Sequence, residues 1–376
     1  MSAIAHASAI AGRSADLPDR AGPAQPEGMA EFLRSAGRGV VRWTRSMSRA
    51  GQARSRARVN LALQGGGAHG AFTWGVLDRL LEEPDLDLVG ISGASAGAVN
   101  AVVAASGLAH GGREGARAAL DTFWRRVAAE VQRSPMAPTS LERALGLAGA
   151  GLAARQVLLE GVSRVASPYD LDPTGRNPLA DLLAESVDFE RLRRDPPVRL
   201  FVSATNVRSG KVRIFGPDEI SLEAVLASAC LPQLFHAVEI DGEHYWDGGY
   251  AANPPVLPLV EHTDCADIVI VQVDPLRIKA VPTTARAIRE RVQVLAFNAG
   301  YLREMHEVAG HEQVRLHVIE AEAAMARLGA ASKLGADKAM LERLRRLGRQ
   351  RTRTFLARHK DAIGTRSSLD VAARFL

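Results

Sequence analysis

The chain has 376 residues, of which 47% are hydrophobic and 24% charged, and its formal net charge is +5. This composition is typical of a globular protein with one large domain or two ordinary ones, and it excludes disorder throughout the chain. The two cysteines, Cys230 and Cys265, are too few for a disulfide framework and lie in no zinc-binding or redox spacing.

The N-terminal part of the chain divides into two segments. Residues 1 to about 28 are rich in Ala, Ser, Gly and Pro without an apolar period, which predicts a flexible tail. From Met29 to Arg58, apolar residues recur every three or four positions between arginines, as in a basic amphipathic helix. Such a helix suits an anionic lipid surface, so residues 29–58 are the candidate peripheral membrane contact, with a solvated tail as the alternative. Because no apolar run is long enough to span a bilayer and no secretory signal is present, we expect a cytoplasmic protein, at most peripheral at the membrane.

From Val59 onward, short β-branched or apolar runs alternate with helical patterns, which predicts an α/β fold. The predicted strands are Val59–Leu63, Leu88–Ile91, Val198–Thr205, Lys211–Phe215, a hairpin of "AVEI" and "EHYW" around Asp241-Gly242, Asp267–Val273 and Val314–Ile319. Residues 134–178 are irregular and predict an insertion that caps a site. The basic helical pattern of Lys333–Lys360 predicts a solvated surface rather than a nucleic-acid interface, so we expect no nucleic-acid partner.

A glycine-rich turn, "GGGAHG" from Gly65 to Gly70, separates the first predicted strand from a helical pattern that stops at Pro84. Consecutive glycines at such a junction allow positive φ and leave several N–H groups pointing outward beside a helix N-terminus. A nest of this kind attracts negative charge, either a bound phosphate or the oxyanion of an acyl-transfer intermediate.

The same turn fits the glycine spacing of a dinucleotide-binding fingerprint, which is the first alternative. That fingerprint needs an acidic residue at the end of the second strand to hold the ribose. Here the second strand ends in Gly90, Ile91 and Ser92, and Asp85 and Asp87 stand at its opposite end. The sequence therefore favours acyl transfer over dinucleotide binding.

A second glycine-rich turn, "GASAG" from Gly93 to Gly97, follows the second predicted strand and opens another helix. A G-x-S-x-G sequence at a strand–turn–helix junction is the context of a nucleophile elbow, in which the small residues make room for a strained serine. Ser95 would then stand at a helix N-terminus, whose dipole favours developing negative charge. Because parallel strands bring their carboxyl ends together, we expect Ser95 to lie beside the glycine nest.

A serine nucleophile needs a positioned base to accept its proton. The strand "EHYW" ends in Asp247-Gly248-Gly249, which places Asp247 at a strand end beside a loop with two glycines. On its own this pattern indicates no more than an Asp-Gly turn. Asp247 is therefore a candidate base, and its assignment as the base depends on the presence of the other motifs.

Taken together, "GGGAHG", "GASAG" and "DGGY", in this order and spacing, resemble the motifs of the patatin-like phospholipases. The resemblance covers roughly Val59 to Pro258. It implies Ser95 as nucleophile, Asp247 as its base in a Ser-Asp dyad without histidine, and the backbone of Gly65, Gly66 and Gly67 as the oxyanion hole. Gly93 and Gly97 are then the elbow glycines.

The resemblance also implies a three-layer α/β/α sandwich with a central, mostly parallel sheet, and hydrolysis of acyl esters of lipids through an acyl-enzyme. Phospholipids or other acyl-ester lipids are the expected substrates, and no metal or organic cofactor is expected. On this basis the chain divides into a basic N-terminal segment (1–58), a catalytic domain (59–320) and a C-terminal helical extension packed on that domain (321–376).

Two further features belong to the resemblance. The segment "ASACLPQLF", Ala227 to Phe235, is similar to one that precedes the dyad aspartate in this family, and we expect it to shape the pocket. Many members carry Arg or Lys in the glycine loop where this chain has His69. We expect His69 to be either a structural hydrogen-bonding residue or a pH-sensitive replacement for that charge.

Two alternatives to the dyad enzyme stay open at the level of sequence. A Ser-His-Asp triad of α/β-hydrolase type would use Ser95 with Asp274 and either His311 or His317. Alternatively, the chain is a membrane-docking protein with a degenerate site, whose activity resides in the basic N-terminal segment.

Overall fold

The computed structural model describes residues 56–133, 166–328, 330–333 and 337–375. Within these ranges, eight strands form one mixed sheet. They are β1 (Ala57–Leu63), β2 (Leu86–Gly93), β3 (Arg199–Asn206), β4 (Val212–Phe215), β5 (Val238–Ile240), β6 (Glu243–Asp247), β7 (Asp267–Gln272) and β8 (Arg315–Glu320). The predicted strands and the hairpin are confirmed, with ends that differ by at most two residues. The predicted amphipathic helix of residues 29–58, apart from its last three residues, and most of the predicted insertion of 134–178 lie outside the described residues.

The strand order is β5-β6-β3-β2-β1-β7-β8, and β4 pairs with β3 as well. The neighbours from β3 through β2, β1 and β7 to β8 are parallel, whereas β4, β5 and β6 pair in antiparallel fashion. The hairpin turn between β5 and β6 has positive φ at both central residues, 53° at Asp241 and 76° at Gly242. This is the turn that an Asp-Gly pair favours in a two-residue hairpin.

Helices connect and cover the strands. They are α1 (Gly70–Leu80), α2 (Ala96–Arg133), α3 (Pro168–Leu171), α4 (Pro178–Ser186), α5 (Phe189–Arg194), α6 (Leu222–Ser228), α7 (Leu257–His262), α8 (Ala285–Val308), α9 (Glu322–Met325), α10 (Lys338–His359) and α11 (Val371–Phe375). The long α2 is interrupted at Gly111 and Gly112, where the backbone leaves the helical region. None of the described helices is both long and apolar enough to cross a membrane.

The sheet lies between two layers of helices. Successive side chains along each strand point to opposite faces of the sheet, so each strand contributes to a hydrophobic core on both faces. On one face, Leu61 and Leu63 of β1 pack with α1, α2, α6 and α10. On the other face, Ala62 packs with Ile268 and Ile270 of β7 and with residues of α7 and α8. The predicted three-layer α/β/α fold with a mostly parallel sheet is therefore confirmed.

The last long helix, α10, packs closely against the first, α1. A side chain at Gly75 would collide with the Arg345 carbonyl, and one at Gly348 would collide with the Phe72 carbonyl, so the crossing depends on glycine in both helices. The carboxylate of Asp78, which is buried, binds arginines of α2 and α10: Arg117, Arg345 and Arg349. The predicted solvated surface of Lys333–Lys360 was therefore wrong for Arg345 and Arg349, because a buried acid on α1 pairs with them.

One detail of sheet register determines the position of the site. Gly93, the last residue of β2, pairs with Val202 of β3. Asp247, the last residue of β6, pairs with Ala204 of the same strand. The ends of β2 and β6 therefore lie two residues apart along β3, although they are more than 150 residues apart in the sequence.

Candidate active site

Ser95 lies in the turn between β2 and α2 and is half-buried among buried neighbours. Its φ of 52° is one of two positive values among the described non-glycine residues. A non-glycine residue in this region carries roughly 1–3 kcal/mol of backbone strain that the surrounding structure must support. The turn therefore has the strained geometry expected of a nucleophile elbow.

The two elbow glycines have steric reasons to be glycine. A Cβ atom at Gly97 would collide with the Leu63 carbonyl at the end of β1. At Gly93 it would lie 2.5 Å from the Gly97 carbonyl carbon. The backbone on both sides of Ser95 is therefore packed against β1 and against itself.

Asp247 ends β6 and is 1% exposed. The Ser95 side chain lies near this carboxylate and acts to lower its pKa, and the Oδ1 atom accepts a hydrogen bond from the Gly249 N–H at 2.7 Å. Thr205 Oγ1 donates to its carbonyl at 2.8 Å. The structure thus brings together the predicted nucleophile and the predicted base.

Burial raises the pKa of Asp247 to about 6, because the ionised carboxylate loses solvation. The nearby Ser95 side chain, the hydrogen bond from the Gly249 N–H and the positive charge of Lys333 act in the opposite direction. At pH 7 the carboxylate is therefore mostly ionised, yet more basic than an ordinary aspartate.

The segment Ala227–Phe235 contacts both residues, as expected of a segment that shapes the pocket. Ser228, which is fully buried, accepts a hydrogen bond at its Oγ from the Ser95 N–H at 2.9 Å. The Cys230 carbonyl accepts one from the Asp247 N–H at 2.8 Å. One short segment therefore fixes the backbone of the nucleophile and of the base.

The glycine loop passes directly beside Ser95. A Cβ atom at Gly65 would lie 2.8 Å from the Ser95 Cβ, so only glycine permits this approach. The Gly65 N–H donates to Asn253 Oδ1 at 2.7 Å, which removes it from the three predicted oxyanion donors. The N–H groups of Gly66 and Gly67 have no acceptor among the described residues. Gly67 is also the loop residue with positive φ, 57°.

A buried amide network supports this loop from below. Gln64 Nε2 donates to the Asn253 carbonyl at 3.2 Å and to Asn298 Oδ1 at 3.1 Å. Its Oε1 accepts from the N–H groups of Val273 and Asp274 at 2.6 and 2.7 Å. The network joins the end of β1 to the loop after Asp247 and to the end of β7.

His69 is 2% exposed, and burial together with the charge of Lys333 lowers its pKa to about 4. Its Nε2 atom lies 2.7 Å from Ser332 Oγ. His69 is therefore neutral at physiological pH, which favours the structural alternative over a pH-sensitive charge.

A cation reaches the glycine loop from elsewhere in the chain. Lys333 forms a 2.6 Å ion pair with Asp274, which is 3% exposed. Its positive charge lowers the pKa of both His69 and Asp247. Lys333, at the end of the short 3-10 helix Ala330–Lys333, thus places a positive charge near the glycine loop.

The structure does not assemble the alternative triad. His317 is fully buried, with Asp267 Oδ1 3.1 Å from its Nε2 and Ser368 Oγ 2.9 Å from its Nδ1. Asp267 begins β7, at the edge of the sheet opposite the carboxyl ends. His311 is exposed after α8, and Asp274 is occupied by Lys333.

Sequence reasoning missed several residues of this site. Asn253 lies in the segment "YAANPPV" after Gly249, and its side chain had no predicted role. Gln64 directly follows the first predicted strand, Val59–Leu63, and had no predicted role either. Lys333 lies far along the chain and carries no local signal. No group of three or more His, Cys, Asp or Glu side chains that could hold a metal occurs among the described residues.

A family model described as patatin-like phospholipase matches residues 61–260, more than half of the chain. The search of curated proteins gave no match.

Several solved structures are similar to the chain. VipD from Legionella pneumophila is 15% identical with a TM-score of 0.39, over 81% of this chain and 67% of VipD. The heterodimeric ExoU-SpcU complex of the Pseudomonas aeruginosa type III secretion system is 17% identical with a TM-score of 0.32, over 80% and 52%. The type III effector ExoU is 17% identical with a TM-score of 0.31, over 81% and 54%. The chain thus spans about half the length of the matched chains in the last two structures.

Proposed function

The chain belongs to the patatin-like phospholipase family, and on that premise we propose that it is a serine lipid acyl hydrolase with a Ser95–Asp247 catalytic dyad. Membership of the family implies hydrolysis of lipid esters. The observation that carries the finer proposal is the buried carboxylate of Asp247 beside the Ser95 side chain, which acts to lower the pKa of that carboxyl.

In the first step, Asp247 accepts the proton of the Ser95 hydroxyl while Oγ attacks the carbonyl carbon of the lipid ester. The carbonyl π electrons move to oxygen and form a tetrahedral oxyanion. The N–H groups of Gly66 and Gly67 are the proposed donors to that oxyanion, and the N-terminus of α2 adds its dipole. One such donor contributes about 3 kcal/mol to the transition state.

In the second step, the tetrahedral intermediate collapses and the ester C–O bond breaks. The protonated Asp247 returns its proton to the leaving alcohol, and the acyl group stays on Ser95 Oγ. Water then attacks the acyl-enzyme while Asp247 accepts a proton from it. The bond between the acyl carbon and Ser95 Oγ breaks, Asp247 returns the proton to Oγ, and the fatty acid is released.

The environment of Asp247 explains how a carboxylate acts here without histidine. Its pKa of about 6 makes it a stronger base than an exposed aspartate, while most of it is still ionised at pH 7. Because its backbone is bound by Cys230 and Thr205, the carboxylate is also fixed in orientation. We propose phospholipase A or lysophospholipase activity on membrane lipids, since the family acts on phospholipids.

The test is release of fatty acid from phospholipid vesicles and from a short soluble ester by wild type, Ser95→Ala and Asp247→Asn. We expect both substitutions to reduce both activities by roughly 10³-fold or more. His311→Ala is the control, because this exposed residue belongs only to the competing triad and its loss is expected to change nothing. Retained activity in Ser95→Ala, or no hydrolysis of either substrate by wild type, would contradict the proposal.

A further inference from the structure

The helix α8 is apolar on two opposite sides. One side packs on the protein through residues that include Phe297, Tyr301 and Met305. The opposite side points to solvent and carries Ile288, Val292, Leu295 and Leu302, which are 45%, 59%, 49% and 38% exposed. These four positions follow the i, i+4, i+7 spacing of a single helix stripe. Large aliphatic side chains on a solvent-facing stripe are a sign of a binding surface.

The segment before α8 also exposes large apolar side chains. Ile278 is 42% exposed, and Val281 is 85% exposed, the highest value among the large apolar residues described. We call these six side chains the docking face: Ile278, Val281, Ile288, Val292, Leu295 and Leu302. Outside it, the large exposed apolar residues of the described chain are Tyr169, Leu171 and Val212. Exposed apolar surface is thus concentrated in one short stretch of sequence.

The same stretch is strongly basic. Residues 275–303 contain six cations and one acid: Arg277, Lys279, Arg286, Arg289, Arg291 and Arg303 against Glu290. Glu290 is paired with Arg286 at 3.0 Å. On the helix, Arg303 stands on one flank of the stripe, from its spacing at 100° per residue. Arg291 stands on the other flank, where its Nη2 donates to the Leu276 carbonyl at 3.1 Å. An aliphatic stripe flanked by arginines is the pattern of helices that lie in a membrane interface.

The helix that carries the docking face also contacts the candidate active site, through its inner side. The ring of Phe297, on the inner side of α8, lies 4.7 Å from the ring of Tyr250 and directly over Gly249, whose N–H binds Asp247. One turn later, a side chain at Gly300 would collide with the Ala251 carbonyl. The helix that presents the docking face outward therefore holds the Asp247 loop on its inner side.

We propose that the docking face binds the surface of an anionic phospholipid bilayer, with α8 lying in the interface. This proposal rests on the proposed function, since it brings the dyad to the lipids that the enzyme would cleave. A second copy of the chain fits less well, because a two-fold interface would place the same basic segment against itself. A nucleic acid would use the cations but leave the aliphatic side chains without a partner.

The test is flotation of the full chain with vesicles of phosphatidylcholine, with and without phosphatidylserine, in the Ser95→Ala background so that binding does not depend on hydrolysis. The variant is Val292→Asp combined with Leu295→Asp. The matched control is Val212→Asp, because Val212 is 41% exposed on β4, outside the docking face. We expect at least a tenfold loss of binding to the anionic vesicles for the double variant and none for the control.

Activity on a short soluble ester, measured with Ser95 intact, separates the two proposals. A double variant that still hydrolyses the soluble ester but no longer binds vesicles supports the docking face. If wild type itself does not hydrolyse the soluble ester, the proposed function is contradicted and the membrane-binding proposal is not. Unchanged vesicle binding by the double variant would overturn the inference and assign membrane binding to another part of the chain, such as residues 29–58. Equal binding to neutral and anionic vesicles would overturn the assignment to an anionic surface. Sedimentation showing a dimer that the double variant dissociates would replace the bilayer with a second copy.

Discussion

The side chain of Asn253 accepts a 2.7 Å hydrogen bond from the Gly65 N–H, and this bond joins the loop after Asp247 to the glycine loop. The Asn253 carbonyl accepts a second bond from the same region of the chain, from Gln64 Nε2 at 3.2 Å. Asn253 is 2% exposed, so neither bond competes with solvent. The distance between the base and the proposed oxyanion donors is therefore set in part by one amide side chain.

We expect Asn253→Ala to lower kcat/KM by roughly 10- to 100-fold, because the glycine loop loses the bond that fixes it beside Ser95. The buried Gly65 N–H would lose its acceptor, at a cost to stability of about 1–3 kcal/mol. Steady-state kinetics and thermal unfolding measure the two effects. Asn206→Ala, in a surface turn of β3, is the control for loss of an asparagine, and equal effects of both variants would contradict the role of Asn253.

The pH dependence of activity reports the base. Because the pKa of Asp247 is raised to about 6 by burial, we expect kcat/KM to fall about tenfold per pH unit below pH 6 and to level off above it. An acid limb near pH 4, the range of an ordinary aspartate, would show that Asp247 is solvated or is not the base. His69, with its pKa near 4, is not expected to contribute to the limb at pH 6.

The raised pKa of Asp247 also predicts how the substitution Asp247→Asn changes the free energy of unfolding. Since the pKa of Asp247 is higher in the folded state than in the unfolded state, folding favours the protonated form. The associated stability is fully present below about pH 4 and is lost as the pH rises through about 6. We therefore expect Asp247→Asn to be more stable than wild type at pH 7.5, by roughly 1–3 kcal/mol. Urea unfolding at pH 7.5 and pH 5 tests this, and an advantage that grows toward low pH would have the wrong sign.

We expect the charge of Lys333 to influence the pKa of the catalytic base, Asp247. Its positive charge lowers the pKa of Asp247, so Lys333→Met should move the acid limb of kcat/KM to higher pH. The substitution also leaves the Asp274 carboxylate without its ion-pair partner. The double variant Lys333→Met with Asp274→Asn removes both charges, and so separates the effect of an unpaired Asp274 from the effect of losing the Lys333 charge. Lys338→Met is the control, because Lys338 is exposed at the start of α10. An unchanged pH profile in both Lys333 variants would exclude this role.

The elbow glycines provide a steric test. We expect Gly97→Ala to lower the free energy of unfolding by about 1–3 kcal/mol or more, because its methyl group would collide with the backbone of β1. Gly216→Ala is the matched control, since its φ is −82° and nothing lies within 4 Å of a Cβ at that position. Chemical denaturation of both variants measures the difference, and similar values for the two would contradict the close packing of the elbow.

The fold could be predicted from sequence where the signal is local. The β-branched run of β7 and the Asp241-Gly242 turn identify their elements without tertiary information, because period and turn chemistry suffice. The same holds for Ser95, since a G-x-S-x-G sequence after a strand already restricts the backbone.

The remainder of the site depends on contacts between distant parts of the chain. Ser228 binds the Ser95 N–H because α6 packs against the elbow, and no spacing in the sequence encodes that approach. The loss of Gly65 as an oxyanion donor depends on the position of Asn253, almost 190 residues away. The arginines of α10 were misread for the same reason, since their partner Asp78 is buried on α1.

The contact between His69 and Ser332 joins residues 263 positions apart, and the close crossing of α1 and α10 spans a similar length of chain. During synthesis, the glycine loop leaves the ribosome long before the segment that packs over it. We expect a nascent chain to hold the nucleophile and base but not the finished glycine loop until the segment that carries Ser332 has been synthesised. Activity of this lipid hydrolase is then expected only after both partners of that contact have left the ribosome.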